Sequence, residues 1–154
     1  MPIGHGYDDP SVAQLAVFLY NRVGQLRDVL RILDQANVQV YGLTVSESSD
    51  CAIVRFIPNE PATACFVLRD KGYAIAESEV LAVAMPRASH SLLQICQILL
   101  RSEVNILQAY PILLPHLGMN AVVLSVDSRS VAVDTLRAAH FDLLDGESLK
   151  KAQG

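Results

Sequence analysis

The chain has 154 residues, of which 51% are hydrophobic and 18% charged, so it can bury a sizeable core and is not intrinsically disordered. Its 12 basic and 16 acidic side chains give a formal net charge of −4 at pH 7. Because it has neither a basic surplus nor any tryptophan for base stacking, we expect no nucleic-acid partner.

The sequence contains no recognisable targeting segment. Residues 1–10 are polar and lack the basic and apolar regions of a secretion signal. Apolar runs such as residues 80–86 fall well short of the roughly 20 residues that a membrane-spanning helix needs. We therefore expect a cytoplasmic protein without a membrane partner, whose three cysteines (Cys51, Cys65 and Cys96) are free, buried thiols.

Hydrophobic periodicity predicts alternating strands and helices in the first half of the chain. The first helix is expected to end at Asn37, a residue that tolerates a left-handed conformation, and the second to begin at Pro61 and stop at Gly72. The order βαββαβ is that of a ferredoxin-like unit. The predicted elements are strands over 14–20, 38–45, 51–57 and 73–77 and helices over 26–36 and 61–70.

The second half repeats the first. Residues 81–83 match residues 15–17 at an offset of 66, whereas Leu136 matches Leu68 at an offset of 68. A longer loop in the second copy, around residues 111–120, accounts for the drift. The predicted elements of this half are strands over 80–85, 105–110, 121–126 and near 143, and helices over 91–102 and 131–139.

These repeats predict an α+β protein made of two ferredoxin-like units. We expect tails over 1–12 and 150–154, with the units over 13–78 and 79–149. A unit of about 70 residues builds a marginal core and leaves sheet edges open. The two units are therefore expected to pack as an intramolecular pseudo-dimer.

The turn after the first strand resembles that of ACT domains, in which Asn-Arg-Pro-Gly leads into a helix that starts near a leucine. Together with the duplicated βαββαβ order, the resemblance to a tandem ACT protein covers residues 14–149. In the turn, Asn21, Arg22, Gly24 and Leu26 agree with the family, and Val23 stands where the family usually has proline.

The resemblance implies a non-catalytic regulatory protein that binds a free amino acid between ACT units, without a cofactor or a metal. One unit supplies the strand-to-helix turn, where free N–H groups and the helix dipole suit a carboxylate. The other supplies an asparagine near the start of its second strand. The ligand-binding residues so implied are Asn21, Arg22, Val23, Gly24, Gln25, Leu26, Asn105 and Ile106.

The reciprocal site is degraded, because residues 87–90 read Arg-Ala-Ser-His and Gln39 replaces the asparagine. We therefore expect one intact site per chain. Plainer interpretations stay open: the first turn could serve only to start a helix, and Asn105 could only satisfy a strand end. The apolar loop over 110–120 could be a partner surface or a lid over the ligand.

Other functions compete with this one. The resemblance also fits a regulatory subunit of a branched-chain amino-acid biosynthetic enzyme, of the acetolactate synthase type. A purely structural dimerisation module is a third candidate, since open sheet edges favour a homodimer. The sequence disfavours an enzyme because it lacks paired carboxylates, a nucleophile triad and a phosphate loop.

Overall fold

The structure is a computed structural model that describes residues 10–20, 23–85, 91–112 and 120–151. Among these residues, no helix combines the length and apolar character needed to cross a membrane. The elements are β1 (Ser11–Tyr20), α1 (Gln25–Gln35), β2 (Val40–Glu47), β3 (Cys51–Pro58), α2 (Pro61–Asp70), β4 (Ala74–Met85), α3 (Ser91–Arg101), β5 (Ile106–Ile112), β6 (Asn120–Val126), α4 (Arg129–Ala138), β7 (Leu143–Leu144) and α5 (Gly146–Lys151).

The chain divides into two compact units. The N-terminal unit comprises Ala13–Ser78, and the C-terminal unit comprises the described residues from Glu79 onward together with residues 10–12. The strand order is β2-β3-β1-β4 in the N-terminal unit and β5-β6-β4-β7 in the C-terminal unit. This order, with antiparallel pairing, confirms the predicted α+β class and the duplicated ferredoxin-like topology.

Strand β4 differs from the prediction. The sequence predicts separate strands over 73–77 and 80–85, but Ala74–Met85 is one uninterrupted strand of 12 residues. The division between the units falls within it, at Ser78. The polar residues 77–79 that interrupt the apolar pattern are exposed, so they break the hydrophobic periodicity without breaking the strand.

The strand registers reproduce the repeat. In β1 and β3, Leu15 lies opposite Phe56, and in β4 and β6, Leu81 lies opposite Leu124. One member of the pair is displaced by 66 residues and the other by 68, the two offsets found in the sequence. The irregularity between Val40 and Gly42 also recurs, 66 residues later, in β5. The drift between the offsets therefore arises between β5 and β6.

Each unit packs two helices against one face of its strands. In the N-terminal unit, Leu15 and Val17 of β1 contact the buried faces of α1 and α2, as do Leu81 and Val83 against α3 and α4. The equivalent core side chains are buried in both units, which is the main source of stability for such small bodies. The N-terminal helices contribute Val29, Leu33, Ala64 and Leu68, and the C-terminal helices contribute Ile95, Leu99, Ala132 and Leu136.

The expectation that all three cysteines are buried is wrong. Cys65 is buried in the N-terminal core, Cys51 is half-buried, and Cys96 is exposed because it lies on the face of α3 opposite Ile95 and Leu99. Burial raises the pKa of the Cys65 thiol, and the Glu77 carboxylate adds to this effect. Cys65 is therefore a protonated, unreactive thiol at neutral pH.

Helices α1 to α4 end in the same way. In each, the first apolar residue beyond the helix donates its backbone N–H to the carbonyl five residues earlier, as Val38 does to Leu33 at 2.9 Å and Phe141 to Leu136 at 3.0 Å. The residue before it has a positive φ. These residues are Asn37 (58°), Gly72 (91°), Glu103 (57°) and His140 (67°).

The predicted helix ends at Asn37 and Gly72 are confirmed, whereas Glu103 and His140 gave no signal in the sequence. Both have Cβ atoms, so a left-handed conformation strains them by roughly 1–2 kcal/mol each. The apolar contact and the hydrogen bonds of the motif hold them in place.

The equivalence of Gly72 and His140 allows a matched pair of substitutions. Gly72→Ala should lower the free energy of unfolding by about 1 kcal/mol, because the added Cβ meets nothing within 4 Å but alanine resists φ 91°. His140→Gly should raise it by about 0.5 kcal/mol, the strain relieved less the greater entropy of unfolded glycine. Urea unfolding of both variants checks this, and a Gly72→Ala protein as stable as wild type would contradict it.

A short C-terminal helix, α5, was not predicted. Asp145 caps it by accepting hydrogen bonds from the backbone N–H of Ser148 at 2.8 Å and from its hydroxyl at 2.9 Å. These bonds hold the pKa of the Asp145 carboxyl below its ordinary value. The helix buries Leu149, which is 1% exposed, so the cap fixes a core side chain.

Asp145→Ala should therefore lower the free energy of unfolding by about 1 kcal/mol at neutral pH. Because the folded-state pKa is lowered, the stabilisation is complete above the unfolded-state pKa of about 3.9 and is lost as the pH falls through the folded-state value. Wild type and variant should converge in acid when urea unfolding is measured over this range. Asp134→Ala, at an exposed position of α4, is the control, and a pH-independent difference for Asp145→Ala would refute the cap.

Candidate functional site

The amino end of α1 has the geometry that the sequence predicts for a ligand-binding turn. Gly24 precedes the helix with φ 91°, and its carbonyl accepts the first helical hydrogen bond, from the N–H of Asp28 at 3.0 Å. A glycine has no side chain to cap the helix, so no side-chain cap bonds to the N–H groups of the first turn from this position. Asn21 and Arg22 lie outside the described residues, and Val23 is fully exposed.

Charges at this helix end also favour an anion. Asp28 is the acidic residue of the first turn, but its carboxylate lies 3.1 Å from the Arg31 guanidinium and 3.5 Å from that of Arg27. The two guanidiniums outweigh the single carboxylate, and the positive end of the helix dipole adds to them. Leu26, on the other side of the helix, packs against the N-terminal core and fixes the helix start.

A cavity of about 410 Å³ adjoins this helix end within the N-terminal unit. It lies where the carboxyl end of β1, the start of β3 and the turn between α2 and β4 meet the first residue of α1. Its volume falls within the range of roughly 300–1,000 Å³ that small-molecule sites occupy. The lining residues are Phe18, Leu19, Tyr20, Gln25, Cys51, Lys71, Gly72, Tyr73 and Ala74.

Gln25 places an unsatisfied acceptor at this cavity. Its side-chain carbonyl oxygen is buried and accepts no hydrogen bond. A buried acceptor without a donor costs about 1–3 kcal/mol, and most such groups in folded proteins are satisfied. The ammonium-bearing Lys71 is exposed at the cavity and forms no ion pair within the described part of the chain. An acceptor and a cation are thus both left for a ligand.

Of the predicted site residues, Gln25 therefore lines the cavity, whereas the others that contribute to it were missed. Phe18, Tyr20, Cys51, Lys71 and Tyr73 come from three separate segments of the chain. The one local signal was the alternation of aromatic residues at 18 and 20 on the strand face opposite the core. Nothing in the sequence placed residues 71–73 beside that strand end.

Asn105 and Ile106 lie in the C-terminal unit, at the start of β5. The Asn105 backbone N–H donates to the Asp127 carboxylate at 2.9 Å, and the Asp127 N–H donates back to the Asn105 carbonyl at 3.2 Å. Gln39 and Asn59 form the same pair in the N-terminal unit, at 2.9 and 3.0 Å. Because backbone groups make these bonds, the exposed Asn105 side chain has no part in them.

The composite site that joins the first turn to Asn105 and Ile106 stays a prediction. Ile106 is half-buried against the core of its own unit. Residues 87–90, which would form the degraded reciprocal turn, and residues 113–119 of the apolar loop lie outside the described residues. Over the described ranges, no group of three or more His, Cys, Asp or Glu side chains is arranged to hold a metal ion.

Comparison with known proteins agrees with this architecture. A protein from Bacteroides thetaiotaomicron has 25% sequence identity and a TM-score of 0.83, over 90% of this chain and 95% of that one. The ligand-free regulatory subunit of aspartate kinase from Thermus thermophilus has 16% identity and a TM-score of 0.61, over 86% and 93%. The equivalent subunit from Thermus flavus has 14% identity and a TM-score of 0.55, over 83% and 92%.

A search of curated proteins by sequence found no match. The family of the ACT domain pair matches residues 10–152, nearly the whole chain. That match joins the duplicated topology, the shared strand registers and the glycine turn that opens α1. The chain therefore belongs to the family of ACT domain pairs, whose members are regulatory domains.

Proposed function

We propose that this chain is a non-catalytic regulatory protein that binds a free amino acid at the amino end of α1. The observation that carries the proposal is the unsatisfied Gln25 oxygen in a cavity beside a helix start. The free N–H groups of that helix start suit the α-carboxylate of an amino acid. The Gln25 oxygen suits its ammonium group.

The chemistry of the cavity supports binding and not turnover. Its described lining holds a thiol, an ammonium and two phenols, from Cys51, Lys71, Tyr20 and Tyr73. It offers no carboxylate or imidazole to serve as an acid or base near neutral pH. The half-buried Cys51 thiol has no histidine beside it in that lining to activate it.

Such a protein acts by favouring one state of its assembly. A ligand shifts a conformational equilibrium only by its differential affinity for the two states. We propose that the assembly is a homodimer, or a complex with an enzyme of amino-acid metabolism. The likeness to regulatory subunits of aspartate kinase is one of fold, so it supports an enzyme partner of this type without naming it.

The proposal is tested by measuring the melting temperature of the full chain with each of the twenty amino acids. An amino acid present at 100 times its dissociation constant should add about 2.7 kcal/mol to the free energy of unfolding. At least one amino acid should raise the melting temperature, and glycerol at equal concentration is the control. No response to any of the twenty would refute amino-acid binding and favour a structural module.

A matched pair of variants tests the predicted role of Asn105. Asn105→Ala removes a side chain that the strand pairing does not use, and Gln39→Ala does the same at the equivalent position. If Asn105 hydrogen-bonds the ligand, its loss should cost about 1–3 kcal/mol of affinity by calorimetry, while Gln39→Ala binds as wild type does. Equal affinities for all three proteins would remove Asn105 from the site.

A further inference from the structure

We infer that the cavity of the N-terminal unit selects an amino acid with an apolar, ring-sized side chain. The inference rests on the proposed function and specifies its ligand class. Three aromatic residues, Phe18, Tyr20 and Tyr73, line a cavity that has one unsatisfied acceptor and one unpaired cation within the described residues. This combination matches an ammonium, a carboxylate and an apolar side chain.

The aromatic walls are unusually exposed. Phe18 is 41% exposed and Tyr20 is 73% exposed, although both extend from a strand whose other face is fully buried. Aromatic rings gain most from burial, and those that converge on a cavity mark a binding surface. Gly72 leaves room between them, because its missing side chain presents only backbone to the cavity.

The polar groups of the cavity argue against a charged ligand side chain. A second ammonium or a guanidinium on the ligand would need a carboxylate, and none of the described lining residues provides one. A second carboxylate would compete for Lys71, the one cation in that lining. The ligand that leaves no buried charge unpaired has one ammonium, one carboxylate and an apolar remainder.

The repeat provides an internal comparison. At the positions equivalent to Phe18 and Lys71, the C-terminal unit has Ala84 and Ala139, which remove an aromatic wall and the cation. The position of Gln25 becomes Ser91, which is 4% exposed and has an interaction partner of its own. The same scaffold has thus lost the wall, the cation and the free acceptor together. These features belong to a site, since the fold does not require them.

The test compares ligands by calorimetry on the full chain. L-phenylalanine and L-leucine should bind at least 10-fold more tightly than L-aspartate and L-lysine. 3-Phenylpropionate, which is phenylalanine without its ammonium group, should bind at least 10-fold more weakly than phenylalanine. Tightest binding of aspartate or lysine would overturn the inference while leaving amino-acid binding intact, whereas no binding by any amino acid would overturn the proposed function itself.

Gln25→Met assigns the ammonium contact. The variant should bind phenylalanine and 3-phenylpropionate with equal affinity, and its unliganded melting temperature should rise because the unsatisfied oxygen is gone. Gln35→Met, at an exposed position of the same helix, is the control and should change neither value. Retention of the wild-type preference for phenylalanine in Gln25→Met would overturn the role of Gln25.

Lys71→Met gives a readout that does not depend on Gln25. Its loss should weaken phenylalanine at least 10-fold and should weaken phenylalanine amide, which lacks the carboxylate, by less than 2-fold. The Lys71 side chain is exposed, so the variant should fold as wild type does. Equal weakening of both ligands would overturn the carboxylate contact with Lys71.

Discussion

The register between β1 and β3 is the constraint on which both the core and the cavity depend. Leu15 opposite Phe56 and Val17 opposite Val54 turn apolar side chains toward the helices. The same register sets Tyr20 opposite Cys51 on the other face, at the end of the strand. A slip of one residue would exchange the two faces, so burial of the core also fixes which residues reach the cavity.

The duplication separates what the fold needs from what a site needs. Both units keep the strand registers, the irregularity at the start of the second strand and the left-handed helix ends. The paired backbone bonds of Gln39 with Asn59 and of Asn105 with Asp127 also persist. These shared features are structural. The residues that differ around the N-terminal cavity are free to serve recognition, because the C-terminal unit folds without them.

The sequence predicted the topology well because apolar periodicity and helix-ending residues such as Gly72 act locally. It failed where distant contacts decide. Exposed polar residues 77–79 concealed the continuity of β4, and Glu103 and His140 adopt left-handed conformations that packing imposes on unfavourable residues. The cavity was missed for the same reason: its walls come from separate segments, and only the predicted turn residue Gln25 identified one edge of it.

The unsatisfied Gln25 oxygen joins stability to binding. Leaving it without a donor costs about 1–3 kcal/mol, which is comparable to the 2.7 kcal/mol or so that a ligand adds at 100 times its dissociation constant. A ligand that donates to this oxygen offsets a strain already present in the unliganded unit. Because Gln25 is the first residue of α1 and Leu26 beside it packs on the core, that gain acts directly on how firmly the helix start is held. Ligand binding therefore changes the rigidity of the structural element from which a regulatory response would begin.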